Sequence, residues 1–434
     1  MCARGFSYYD ERKSLATTVM ASKIKALFSK DNRERLLNLI YSIGAAAVFN
    51  MVIQLAIYPD FERKLGATSY GVALSILSFL AITAGTCGYA VNCARLLSVE
   101  KGYTESGDYN LILLGMGLLN GTIGTAYLFY LNVDTPVTIA LYLVLMMTTM
   151  LRYYSEVEFR INTNFFRYMI YYILISVGYL LGLLLFHVSG EWMLALIVGE
   201  TLAVLYVVFC SRIYRPPFFK KTEHLKPIFF SIGFILMSSL IDNISLHADR
   251  ILLLAITGDG AAVTTYYVAS LVGKIVSMLT LPINNIVLSY LVRYQGGLNK
   301  KIWLVIIAAA IAFGACGFAG CMLVSPWLIR LLYPDQAVEV MNYLAPAVLG
   351  QIFYFVSGVL MIVLLRFKGE KKQLIFNAGY AAVFFGTVSI GTVLGGLRGF
   401  ILCILLANAI RFGGAIVWGF MGTKRKEALP TEAS

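Results

Sequence analysis

The sequence predicts an all-α polytopic membrane protein with twelve transmembrane helices. Three observations lead there. Apolar residues make up 59% of the chain and charged residues only 13%, about half the charged share of a soluble domain. The apolar residues gather in runs, each long enough for the ~20 residues that a bilayer crossing needs. Lys and Arg concentrate in every second connection between those runs.

The runs lie at 36–58, 72–94, 109–131, 136–156, 166–187, 191–211, 228–257, 263–290, 302–324, 337–365, 373–394 and 397–420. Asn132–Asp134 and Pro136 divide the third from the fourth, because turn formers and proline interrupt an apolar helix. Eight Lys or Arg precede the first run, and 2, 3, 5, 3, 4 and 3 lie in or beside the connections after even-numbered runs. The odd-numbered connections hold 2, 0, 0, 0, 1 and 1. That is 28 against 4, with Arg250, Lys274 and Arg411 left inside runs. Basic residues beside span ends stay in the cytoplasm, so both termini are expected there. The formal charge of +12 is therefore a topology signal rather than a nucleic-acid footprint. The first 35 residues are polar and do not read as a cleavable signal peptide. Translation starts at Met1 or at Met20. Residues 23–37 form either a stop-transfer flank or a basic amphipathic helix on the inner surface.

Several classes are excluded. The cysteines have no metal-type spacing and form no extracellular framework; they read as small packing residues. His187, His224 and His247 are scattered and form no metal or catalytic set. Outward connections are short, the longest running around Ser325–Gln336, which disfavours a membrane-embedded glycan polymerase or ligase. The longest inward connection, Arg212–Lys226, is too short for a nucleotide fold, and no phosphate-cradling GxxxxGK[ST] occurs. No enzyme activity, cofactor or metal is expected. Movement of a solute or lipid across the membrane remains.

An internal repeat supports transport. Residues 63–71 follow the first run, and Ile256–Gly260 with Thr264–Tyr267 follow the seventh. Each pairs a short Gly-containing outward turn with a Thr/Ser-Tyr helix start, about 196 residues apart. Two-fold repeats with a substrate path at their interface are frequent in secondary transporters. The expected organisation is a cytoplasmic segment (1–35), an N-lobe of helices 1–6 (36–213), a linker (214–226), a C-lobe of helices 7–12 (227–420) and a cytoplasmic tail (421–434).

The turn Glu62-Arg63-Lys64-Leu65-Gly66 with Tyr70-Gly71 resembles the signature after the first span of polysaccharide flippases of the Wzx type. Ala248-Asp249-Arg250-Ile251-Leu252 with Gly258 and Tyr266 is similar to their seventh-span segment. Leu344-Ala345-Pro346 and residues 364–377 resemble their tenth and eleventh spans, while Leu288-Ser289-Tyr290 lacks a proline often found in the eighth. The resemblance implies the fold of the multidrug/oligosaccharidyl-lipid/polysaccharide (MOP) exporter superfamily, two six-helix lobes in a V. It also implies an undecaprenyl-pyrophosphate-linked oligosaccharide as cargo, such as an O-antigen or other polysaccharide repeat unit. Alternating access in the bacterial cytoplasmic membrane, with glycan-assembly proteins as partners, follows from it. Multidrug exporters of the superfamily share the twelve spans; lipid II flippases generally have more.

Polar residues inside the runs are the candidate site. Ser238, Asp242, Ser245 and Asp249 share one face of span 7, flanked by Asn243, His247 and Arg250. Tyr267, Ser270, Lys274 and Ser277 share a face of span 8. A charge at mid-bilayer costs ~3 to more than 10 kcal/mol, so these residues should face protein or water. Arg250 and Lys274 either bind pyrophosphate or, with Asp249, make an internal ion pair. Asp242 and Asp249 are either coupling sites for H+ or Na+ or charge partners of those cations. Arg63, Asn50 and Glu200 are weaker candidates: Asn50 with Gln54 reads as interhelical hydrogen bonding, and Glu200, isolated in the sequence of span 6, either pairs with a charge or lines the cavity. Arg152, Glu156, Glu158 and Arg160 read as a solvated, mutually paired helix end. Tyr153-Tyr154, Tyr168, Tyr171-Tyr172 and Tyr266-Tyr267 read as interfacial belt residues.

Overall fold

The computed structural model describes residues 30–99, 102–103, 105–211, 213–214, 216–278 and 297–421. These residues contain helices and turns but no strand. The helices are α1 (Lys30–Val52), α2 (Tyr58–Leu80), α3 (Thr86–Ser98), α4 (Ser106–Tyr130), α5 (Pro136–Ser155), α6 (Val157–Ile161) and α7 (Phe165–Ser189). They continue as α8 (Trp192–Cys210), α9 (Leu225–Thr257), α10 (Gly260–Met278), α11 (Lys300–Leu332), α12 (Ala337–Lys368) and α13 (Glu370–Phe420).

The twelve predicted spans are all represented. Eight continuous helical stretches are long and apolar enough to cross a membrane. Two of them, Ile40–Ser98 and Lys372–Phe420, run for 59 and 49 residues, long enough for two crossings each at 1.5 Å per residue. They turn at Gly66 (φ 76°) and Gly396 (φ 54°), backbone conformations that only glycine adopts cheaply. The bent helix α9 and the shorter apolar helix Gly260–Val276 complete the twelve. The second half of span 8, with Leu288-Ser289-Tyr290, lies outside the described residues, as do the segment before Lys30 and the tail beyond Met421.

Large apolar side chains such as Leu118, Leu184, Phe209, Leu323, Val393 and Leu394 stand exposed. On a soluble protein this would be a liability; around helices with internally satisfied backbone it is the surface that lipid covers. The molecule is a multi-pass membrane protein.

The chain divides into two compact units. One holds residues up to Tyr58 and Thr83–Leu240; the other holds Pro59–Ile82 and the chain from Ile241 onward. The first two exchange points fall beside π-helical turns, Ile53–Ile57 and Ala81–Gly85. In the first unit α7 packs on α8 and α1, and α5 on α8, α3 and α4. Small residues let these backbones approach, the usual device of packed membrane helices: Gly178 meets Gly199, and Gly182 meets Ala195. In the second unit α12 is central and contacts α10, α11 and α13.

The two repeat turns meet inside the second unit. A Cβ on Gly71 would sit 1.8 Å from the Gly260 carbonyl oxygen, and one on Gly260 would sit 2.1 Å from that of Thr68. Thr264 Oγ1 donates to the Ala67 carbonyl at 2.7 Å. Tyr70 meets Tyr267 edge to face at 6.2 Å. The repeat detected from spacing is thus a contact between its own two copies, and glycine is required for the backbones to touch.

Candidate functional site

In the second unit a charged cluster forms where α9 passes α10. Lys274 Nζ lies 2.7 Å from Asp249 Oδ2, and Tyr266 Oη donates to the same oxygen at 2.8 Å. Tyr266 and Lys274 are eight residues apart, two turns of α10, and therefore project from one face. Asp249 and Tyr266 are buried. Of the two readings open for Lys274, the ion pair with Asp249 is the one the geometry brings together. Asp249 Oδ1 accepts from the Arg250 backbone N–H at 2.9 Å, so both carboxylate oxygens are engaged. The Arg250 guanidinium lies over the Tyr267 ring at 4.8 Å, the ring whose neighbour is Tyr70 of the outer turn. Lys274 also lies 5.0 Å from the Tyr266 ring centroid. Asp242 lies on α9, seven residues before Asp249; its side chain, like those of Ser245 and Ser277, lies outside the described residues.

A second polar group of the same unit was not assembled from sequence. Arg411 on α13 lies over the rings of Tyr354 and Tyr380, at 4.6 and 4.7 Å from their centroids. Tyr380 Oη donates to Asn408 Oδ1 at 2.7 Å, and Asn408 Nδ2 donates to the Gly350 carbonyl at 3.0 Å. The signal was faint but present: Asn377 and Tyr380, and again Asn408 and Arg411, are spaced three apart, so each pair shares a helix face.

The weaker candidates take other roles. Arg63 Nη2 donates to the last carbonyls of α11, Leu331 at 3.1 Å and Leu332 at 3.4 Å. A cation there satisfies orphan carbonyls and complements the helix dipole, so Arg63 is a cap. Asn50 Nδ2 donates within its own helix, to the Ala46 carbonyl at 2.8 Å, a local bond available one turn back. Glu62, in the outer turn, is buried. Burial first, and then the nearby charge of Asp335, push its carboxyl above the usual carboxylate range.

The first unit holds its own charged cluster, and it corrects two expectations. Arg152 and Glu156 are not a solvated helix end; both are only 3% exposed. Of the two readings open for Glu200, pairing is the one the geometry brings together: Oε2 lies 2.6 Å from Arg152 Nε, and Oε1 accepts from Tyr179 Oη at 2.6 Å. Glu156 contacts Arg152 at 3.6 Å and Arg160 at 3.2 Å. It also accepts from Tyr172 Oη at 2.6 Å and Tyr168 Oη at 3.3 Å. The guanidinium of Arg152 covers the Tyr153 ring at 3.9 Å. Tyr154, Tyr171, Tyr172, Tyr266 and Tyr267 are buried rather than interfacial. The hydroxyls or rings of Tyr154, Tyr172, Tyr266 and Tyr267 meet charged groups inside the protein, while Tyr171 Oη donates to the Arg152 carbonyl. Periodicity alone could not distinguish these roles from a belt.

No protein-family profile and no curated relative matches the chain at the sequence level. Its fold is similar to that of known transporters. An inward-facing MATE-family multidrug resistance transporter of the MOP superfamily aligns with TM-score 0.68 at 15% identity, over 87% of this chain and 97% of that one. The lipid II flippase MurJ in an inward closed conformation aligns with TM-score 0.67 at 14% identity, over 88% of this chain and 87% of that one. The Vibrio cholerae MATE transporter VcmN in its bent form gives 0.55 at 13% identity, over 89% and 95%. These likenesses show the fold, that of the MATE and MurJ transporters.

Proposed function

We propose that the protein is a flippase for undecaprenyl-pyrophosphate-linked oligosaccharide in a bacterial cytoplasmic membrane, with both termini in the cytoplasm. The carrying observation is the charge balance inside the spans of the second unit. The spans of that unit carry Arg250, Lys274 and Arg411 against Asp242 and Asp249, with Glu339 exposed in the first turn of α12, and Asp249 is the carboxylate paired with Lys274. An excess of buried cations is costly in a membrane, and an anionic cargo repays it. Arg offers a fork that matches phosphate oxygens, and Lys a compact cation. The polyprenyl tail would stay in the bilayer while the headgroup passes by alternating access. Asp242 and Asp249 are the proposed carboxylates for coupling to H+ or Na+, Asp249 by exchanging its bond to Lys274 for the ion.

A cation-coupled multidrug exporter is the second reading. It is favoured by the Asp249–Lys274 pair, which neutralises one cation of the cluster, and by the likeness to MATE transporters. The experiment is transport by protein reconstituted in vesicles. Wild type should move a fluorescent undecaprenyl-pyrophosphate oligosaccharide between leaflets. Arg250→Ala and Lys274→Ala should abolish that movement at equal protein content, with Lys274→Arg retaining more than Lys274→Ala because the charge is kept. Extrusion of a cationic dye without any movement of the lipid-linked glycan would establish the exporter and overturn the flippase.

A further inference from the structure

Arg411 is the intramembrane cation that neither the charge pattern nor the Asp249 pair explains. Its Nε and Nη1 are enclosed, yet neither has a hydrogen-bond partner among the described residues. No described carboxylate pairs with it, whereas Arg152, Arg160 and Lys274 each have one. The rings of Tyr354 and Tyr380 lie 4.6 and 4.7 Å from its guanidinium carbon. Aromatic faces attract a cation but accept none of the five N–H bonds a guanidinium offers at its edge.

The surroundings hold that edge in place. Tyr354 belongs to α12, while Tyr380 and Arg411 belong to the two arms of α13 on either side of the Gly396 turn. The Tyr380–Asn408–Gly350 chain braces the group. Tyr266, which donates to Asp249, packs edge to face on Phe400 of the arm of α13 that carries Asn408 and Arg411, so the ion pair and the Arg411 group are joined through that arm. A guanidinium held against rings with a free donor edge is preorganised for planar, bidentate acceptors, and phosphoryl oxygens match it.

We propose that Arg411 is a phosphoryl-binding residue of this site, taking oxygens of the pyrophosphate of the lipid-linked cargo. The inference rests on the flippase reading. It also shifts weight within that reading: Lys274 is already satisfied by Asp249, whereas Arg411 has donors to spare.

The test is binding of undecaprenyl pyrophosphate to purified protein in neutral-lipid nanodiscs, with phosphatidylglycerol as competitor. Arg411→Gln should weaken binding by about tenfold or more, the weight of a hydrogen bond to a charged group. Arg411→Lys should fall between, keeping charge but losing the fork. Leu394→Ala, at an exposed position away from the site, should bind as wild type does. If Arg411→Gln fails to accumulate, Arg411→Lys and Tyr354→Leu carry the test, each expected to weaken binding. Wild-type affinity in the Arg411 variants would overturn the proposal and leave the flippase reading standing. Phosphatidylglycerol displacing the ligand one for one would make this a bulk-lipid site and overturn the role in cargo binding. Wild-type protein that binds no undecaprenyl pyrophosphate would sink the flippase reading and this inference with it.

Discussion

The two units solve the problem of buried charge differently. In the first, Arg152 and Arg160 face Glu156 and Glu200, and Tyr168, Tyr172 and Tyr179 fill carboxylate valences that remain. In the second, one carboxylate serves Lys274, while Arg411 is covered by rings and has no described acceptor. A balanced cluster needs nothing further and can hold helices together. An unbalanced one carries a standing electrostatic cost that a ligand can remove. The contrast teaches where to look for binding: at the cluster whose sum does not close, rather than at the one with more charges.

The largest expected effect comes from breaking the balanced cluster. Glu200→Leu leaves Arg152, which cannot shed its proton, with only the longer contact to Glu156. Removing one partner of a buried pair costs about 3–5 kcal/mol, so the variant should lose thermal stability and membrane abundance. Arg152→Leu with Glu200→Leu should recover most of that loss. A double variant no better than Glu200→Leu alone would refute the view that the pair is self-contained.

A smaller effect is expected in the second unit. Tyr266→Phe removes one hydrogen bond to the Asp249 carboxylate, a contact of about 1.5–3 kcal/mol for a charged acceptor, while Lys274 continues to neutralise it. Stability should fall by less than in Glu200→Leu, and transport by more, because Asp249 and Lys274 are the exchanging groups. Equal transport by Tyr266→Phe and wild type, at equal abundance, would remove Asp249 from the mechanism.

The smallest effect concerns Glu62 and sharpens the comparison by testing a carboxylate outside both clusters. Its folded-state carboxyl is raised above the ordinary value of 4.5. Below that value both folded and unfolded states are protonated and the group costs nothing. As pH rises through the raised value the fold must either keep the proton or bury a charge, so stability falls. Glu62→Gln should therefore raise the melting temperature of detergent-solubilised protein at neutral pH and leave it unchanged near pH 4. An equal shift at both pH values would show that the change acts through packing instead.

Much of the architecture was legible without coordinates. A span must be apolar along its whole length, and retained positive charge marks one side, so composition alone located twelve segments. The outer-turn repeat was legible as a spacing, because glycine and tyrosine positions recur at the same point of each half. Side-chain environment was far less legible. Tyr171, Tyr172, Tyr266 and Tyr267 sit where belt residues sit, and only packing reveals that they are buried. Arg152 and Glu200 are 48 positions apart, on different helices, and no local period connects them.

By itself, then, the sequence determined which segments enter the bilayer, which connections carry the positive charge and which polar residues are stranded between. Those are properties of single segments against a solvent, and hydropathy reads them one segment at a time. Tertiary structure alone decided which stranded charges cancel. That Lys274 meets Asp249, that Glu200 meets Arg152 and that Arg411 meets tyrosine rings and no described carboxylate depends on which helix faces turn toward each other. The Coulomb energy of a pair varies with its separation and its dielectric surroundings, and neither is defined until the helices have packed.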